Sequence, residues 1–211
     1  MNQEEIRAFL ALDLPEDVTC FLGNISNRLK QSRVDVRWVN PTSIHLTLKF
    51  LGNIIGAQIP DIETALRPIF SSQSRLQIEI SGIGAFPNLR QPRVVWVGVS
   101  DTSGRLVKMV SLIEDAFDRL GFQRETRSFN PHLTLGRTKS NRDKERLVDL
   151  INSMNPTPSI TFVADRATLF QSILEPAGPH YKVLSVFNLI RSSATERLGN
   201  ESKITAHFLK P

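Results

Sequence analysis

The sequence predicts an α+β fold with antiparallel or mixed sheets and helices on one side, on three observations. Strand-like and helix-like patterns alternate along the chain. Several strand pairs are joined by turns too short for a parallel crossover. At 211 residues, 40% of them hydrophobic and 22% charged, the chain is long enough to bury a sizeable core.

The elements follow in order. Ile6 to Leu12 is an apolar, β-compatible run closed by Asp13-Leu14-Pro15-Glu16, and a proline followed by acids suits a first helical turn. A helix over Val18 to Leu29 carries Phe21, Leu22, Ile25 and Leu29 on one stripe. Val36 to Val39 reads as a short strand, Asn40-Pro41-Thr42 as a turn, and Ile44 to Leu51 as a strand ended by Gly52-Asn53. Pro60 opens a second helix to about Phe70. Leu76 to Ile83 and Val94 to Val99 are the next strands, separated by a segment rich in glycine and proline. Asp101-Thr102-Ser103 can cap a third helix, with Leu106, Val110, Ile113 and Phe117 as its stripe and Gly121 beyond its end. Pro131 to Arg137 is a strand, Arg142 to Ile151 a helix, and Ile160 to Leu174 and Tyr181 to Leu189 are late strands. Residues 1–190 form the expected domain. Residues 191–211, with little periodicity, read as a peripheral tail with a short Ile204–Leu209 strand.

Composition narrows the partners. Lys and Arg total 26 against 21 Asp and Glu, a net charge of +5, which suits a polyanion without requiring one. Cys20 is the only cysteine, so neither a disulfide framework nor a CxxC metal site is expected. No long apolar run spans a membrane, and the first residues lack the basic-then-apolar order of a signal peptide. A monomer in a reducing cytoplasm, away from membranes, is the expectation.

One tetrapeptide occurs twice. His45-Leu46-Thr47-Leu48 recurs as His132-Leu133-Thr134-Leu135, each copy after a proline-containing turn. Strand alternation puts His45 with Thr47, and His132 with Thr134, on one face, opposite Leu46, Leu48 and Phe50 in the first copy and Leu133 and Leu135 in the second. Two imidazoles facing one groove suit phosphodiester chemistry. With an ordinary pKa of about 6.5, one ring can accept a proton while the other donates one. The neutral threonine hydroxyls can hold non-bridging phosphate oxygens. The arrangement calls for no metal and no cofactor. His180 and His207 lack ligand spacing and read as surface or structural.

Other side chains leave choices open. Alternation places Lys49 on the catalytic face, with a solvated strand end as the equal alternative. It places Arg137 on the opposite face from His132, unless a bulge at Gly136 intervenes or the strand ends there. Arg124, Arg127, Lys139 and Arg142 form either a basic rim for RNA or a solvated loop diluted by Asp143 and Glu145. Phe9 and Tyr181 are the aromatic candidates for stacking a base.

At these motifs the chain resembles the 2H phosphoesterase superfamily, and within it the RNA 2′,3′-cyclic phosphodiesterase (2′-5′ RNA ligase-like) family. The likeness runs from about residue 5 to residue 190. It includes Arg7 to Pro15, Trp38-Val39 through Gly52, Arg93 to Gly98, Phe129 to Arg137, and Tyr181 to Leu184. The resemblance implies a bilobal fold, two pseudo-symmetric and interleaved lobes with antiparallel sheets around a central cleft and helices outside. It also implies metal-independent opening of a cyclic phosphate at an RNA end, or of a small cyclic nucleotide, to a 2′-phosphomonoester. Carried over by position, His45 is the proton donor, His132 the acceptor, and Thr47, Thr134 and Arg137 hold the phosphate. Two other classes remain: ATP-independent 2′-5′ RNA ligation, which reverses the same chemistry, and a non-catalytic RNA-binding module.

Overall fold

Ten strands and four helices are found in the computed structural model, which describes residues 5–140, 142–175, 178–191 and 204–205. The strands form two antiparallel sheets. The first contains β1 (Glu5–Leu12), β3 (Leu46–Ile55), β8 (Arg166–Glu175) and β9 (Gly178–Asn188), in the order β3-β1-β8-β9. The second contains β2 (Val36–Trp38), β4 (Leu76–Phe86), β5 (Val94–Ser100), β6 (His132–Thr138), β7 (Ser159–Ala164) and β10 (Ile204–Thr205), in the order β10-β7-β4-β5-β6-β2. The α+β class is as expected, and the chain crosses repeatedly between the sheets. β2, from the first half of the chain, pairs with β6 of the second half, while the late strands β8 and β9 extend the sheet begun by β1.

The helices follow the apolar stripes. α1 (Glu16–Lys30) and α4 (Lys144–Met154) contact β7 and β4 of the larger sheet. α2 (Ile59–Ser72) packs on β9, and α3 (Arg105–Arg119) on β3. In α3 all four expected stripe residues, Leu106, Val110, Ile113 and Phe117, are buried, joined by Met109 and Ala116. Each of these side chains larger than alanine contributes roughly 1.5–3 kcal/mol relative to exposure. The Asp101 carboxylate accepts the backbone N–H of Leu106 at 2.7 Å, satisfying a donor that the helix start leaves open. No helix among the described residues is long and apolar enough to cross a membrane.

Three features depart from the strand expectations. Ile160 to Leu174 is two strands: β7 ends at Ala164 in the larger sheet, and β8 starts at Arg166 in the smaller. The joint is Asp165, whose carbonyl accepts the Leu189 N–H at 2.8 Å and whose carboxylate lies 3.7 Å from Arg75. The joint falls in Ala164-Asp165-Arg166-Ala167, a break in β-propensity between two apolar runs. The other two departures are register shifts in β3 and β6, which decide the site and are described with it. The Ile204–Leu209 strand is seen over Ile204–Thr205, paired with β7. The rest of that segment and His207 lie outside the described residues.

Gly136 lets β2 close on β6. A Cβ built there meets Val36 Cγ1 at 2.6 Å, Trp38 Cε3 at 3.0 Å and the Arg37 carbonyl at 3.1 Å. Gly136→Ala is therefore expected to destabilise the protein by about 1–3 kcal/mol, the usual effect of overpacking, read as a lower denaturant midpoint. A midpoint equal to wild type would show that β2 yields freely.

Candidate active site

Each motif histidine is set by the turn before it. A single helical turn over Pro41–Ser43 precedes the first copy, and the His45 Nδ1 lies 2.9 Å from the Ser43 carbonyl. In the second copy the His132 Nδ1 lies 2.7 Å from the Asn130 carbonyl. A carbonyl only accepts, so in both rings Nδ1 carries the hydrogen and donates it. Nε2 is left as the reactive nitrogen in both. The same two-residue device is used twice.

The rings rest on aromatics. His45 stacks on Phe9, with centroids 4.5 Å apart and planes 26° apart, and meets Tyr181 edge-on at 5.1 Å. His132 meets Phe86 edge-on at 4.8 Å. Phe9, expected to offer a stacking face to a base, is only 3% exposed. Its surfaces are taken by His45, Phe170 and Tyr181, so it is the floor of the imidazole. Tyr181 remains half-buried at the wall of a cavity of about 430 Å³ that also reaches His45 and Asp13. Burial raises the Tyr181 phenol, opposed by Arg137 and Arg7. The hydroxyl therefore stays protonated and able to donate.

A groove of about 1220 Å³ joins the two motifs: Thr47 of the first copy and His132 and Arg137 of the second line it, with Phe50, Phe86 and Arg93. Thr47 and Thr134 are half-buried, on the same faces as their histidines. Arg137 reaches the groove because of a bulge. β5 pairs Val95 with Gly136 and then Trp96 with Thr134, leaving Leu135 without a partner. The extra residue reverses the alternation beyond it. Across the other edge Arg137 stands opposite Arg37, a like-charge pair that disfavours itself. Among the described residues neither guanidinium has an ion pair.

In β3 a matching irregularity overturns the expected faces of Lys49 and Phe50. β1 pairs Leu10 with Lys49 and Ala11 with Thr47, so Leu48 is extra. A second shift skips Leu51. Lys49 turns inward and is 6% exposed, so it is not a solvated strand end, and it meets the groove only as a buried group. Its Nζ donates to Glu114 Oε2 at 2.8 Å and to the Gln123 carbonyl at 2.9 Å. The same carboxylate oxygen accepts the Glu125 N–H at 3.1 Å. This clamp ties the first motif strand to α3 and to the segment leading into the second motif. Phe50 turns outward and is 65% exposed. Neither role has a local sequence signature.

The basic rim is largely neutralised. Arg124 pairs with Asp115 and Asp118, Lys139 with Asp35, and Arg142 with Asp143. His180 is exposed. Burial lowers the His45 pKa, partly offset by the Ser43 carbonyl and by Asp13.

Comparison with known proteins agrees with this geometry. The family model of the 2′-5′ RNA ligase superfamily matches residues 25–173. An RNA 2′,3′-cyclic phosphodiesterase of Methanothermobacter thermautotrophicus is 35% identical over 88% of this chain and all of its own length. The Thermotoga maritima protein of the same name is 34% identical, over 85% of this chain and 93% of its own. A crystal structure from Thermus thermophilus superposes with a TM-score of 0.71 at 25% identity, covering 87% of this chain and 98% of that one. The fold is also that of E. coli LigT in complex with 3′-AMP, with a TM-score of 0.70 at 21% identity over 89% of this chain and all of the other. With that family model matched over most of its length and such relatives, the chain belongs to the 2′-5′ RNA ligase superfamily, the 2H phosphoesterases.

Proposed function

We propose that the protein hydrolyses RNA 2′,3′-cyclic phosphate ends to 2′-phosphomonoesters. The observation that carries this reading is the repeated Nδ1–carbonyl bond, which frees Nε2 of both rings, His45 at the smaller cavity and His132 in the groove that Thr47 of the first motif also lines. The names of the relatives, which span nearly the same length, agree with it.

Water attacks phosphorus and passes a proton to His132 Nε2 as the new P–O bond forms. The P–O3′ bond breaks, and His45 Nε2 protonates the departing 3′ oxygen. The products are a 2′-phosphate and a free 3′-hydroxyl, and the two rings exchange their protons with solvent to reset. Thr47, Thr134 and the Tyr181 hydroxyl donate to the non-bridging oxygens. Arg137 balances the charge that builds there, in a cleft where such interactions are less screened than in water.

Burial alone favours neutral His45, which suits a base better than an acid. The cyclic phosphate is an anion, and its arrival favours the imidazolium. The sign of the pH dependence follows. In kcat/KM, which reports the free enzyme, the alkaline limb due to His45 lies below the ordinary histidine value of about 6.5. In kcat, which reports the complex, that limb moves to higher pH. Coincident limbs would count against His45 as the donor.

The test of function is turnover of a 2′,3′-cyclic-ended oligonucleotide, with 2′- and 3′-phosphate products resolved and an RNA bearing a 5′-hydroxyl also present. A 2′-phosphate as the main product supports hydrolysis. A 2′-5′ joined product supports ligation. Salt-sensitive binding without either product would leave a binding module.

A further inference from the structure

We propose that Phe50 is a stacking platform for the penultimate base of the RNA, so that the groove selects oligonucleotides over cyclic mononucleotides. The proposal rests on the reading of the site as one for RNA ends, and it names which part of the RNA the groove holds.

The argument begins with an inverted pair. A strand that alternated strictly from Thr47 would point Lys49 at the groove and bury Phe50. The Leu48 bulge exchanges them, leaving a lysine at 6% exposure and a phenylalanine at 65%. That is the reverse of their ordinary preferences. The Lys49–Glu114 ion pair explains how the lysine is tolerated inside, whereas the Phe50 ring, among the described residues, meets one other ring, that of Phe9, and leaves most of its surface open. Exposed apolar surface beside a site is a mark of binding.

Its position fits a base. In the first sheet Phe50 is paired with Phe9 and Phe9 with Phe170, so the three rings form a row on one face. Phe9 and Phe50 centroids are 6.2 Å apart. His45 covers the middle of that row, and the open end is Phe50. A group stacked there sits next to the catalytic histidine without occupying its place. Val107, also exposed, borders the same groove, and Arg93, Arg127 and Arg137 supply positive charge along it.

Size and chemistry agree. At about 1220 Å³ the groove exceeds the roughly 300–1,000 Å³ of a typical small-ligand pocket. RNA continues from a 2′,3′-cyclic end only in the 5′ direction, so the group beside the terminal nucleotide is the penultimate one. Stacking tolerates any base, because every base has a π-face.

The experiment measures binding of the reaction products, independently of turnover. The Kd values of a nucleoside 2′-phosphate and of a dinucleotide ending in a 2′-phosphate are compared by calorimetry for wild type, Phe50→Ala and Phe50→Trp. Wild type is expected to favour the dinucleotide, Phe50→Ala to reduce that preference by about tenfold, and Phe50→Trp to keep it. The inference is overturned if Phe50→Ala weakens both ligands equally, which would make Phe50 a support for Phe9 and His45. It is equally overturned if the preference is unmoved or wild type shows none. Absence of turnover with the preference intact would count against the hydrolase reading and leave the platform standing.

Discussion

Replacing His132 with alanine is expected to lower kcat on a cyclic-ended oligonucleotide by about 10²–10⁴-fold, the usual contribution of one general acid or base. His45→Ala should cost a similar factor. The melting temperature of His132→Ala should stay near wild type, since that half-exposed ring has one aromatic neighbour, Phe86. Near-full turnover in either variant would falsify the two-histidine mechanism. The order of the pair needs a different substrate, because the two half-sites are built alike. Sulfur in place of the bridging 3′ oxygen gives a leaving group that departs without a proton. On that substrate the loss in His45→Ala should shrink to about tenfold or less, while the loss in His132→Ala persists. The opposite pattern would reverse the roles, in line with the lowered His45 pKa.

The second large effect is expected at Lys49. Lys49→Met should destabilise the protein by about 3–5 kcal/mol, the usual result of stripping one partner from a buried ion pair. The reason is local. Glu114, with its side chain 14% exposed, would keep the Glu125 N–H but lose its cation, and the Gln123 carbonyl would lose its donor. The double variant Lys49→Met/Glu114→Met should recover most of the loss, because no charge is then left stranded. Denaturant unfolding of the four proteins in the cycle measures the coupling. A single variant as stable as wild type would mean the pair contributes nothing to the fold.

Most of the helices and strands were legible because they rest on local period. The α3 stripe, the two histidine strands and the turns before them follow from spacing alone. What escaped depends on register between strands far apart in sequence. Whether Leu48 or Leu135 is accommodated as an extra residue is decided by β1 and β5, not by the tetrapeptide. Lys49 finds its carboxylate 65 residues away, so a strand read alone places it on the wrong side. For Arg137 the bulge needed to bring it round is present, at Leu135 beside Gly136. Phe9 and Phe50 exchange their expected exposure for the same kind of reason. Phe9 is covered by three rings from other segments, and Phe50 is turned out by its own strand's irregularity.

The crossing path of the chain also bears on how the protein unfolds. β2 completes the sheet of the second histidine, and β8 and β9 complete the sheet of the first. Neither histidine motif belongs to a continuous stretch that can hold its shape alone, so loss of one sheet removes strands the other requires. Unfolding is therefore expected to be a single cooperative event, with hydrogen-exchange protection of the two motif strands lost together. With pairings as distant as Leu12 with Ala167, chain topology favours slow folding over fast. Activity returns only when the last strands have found the first.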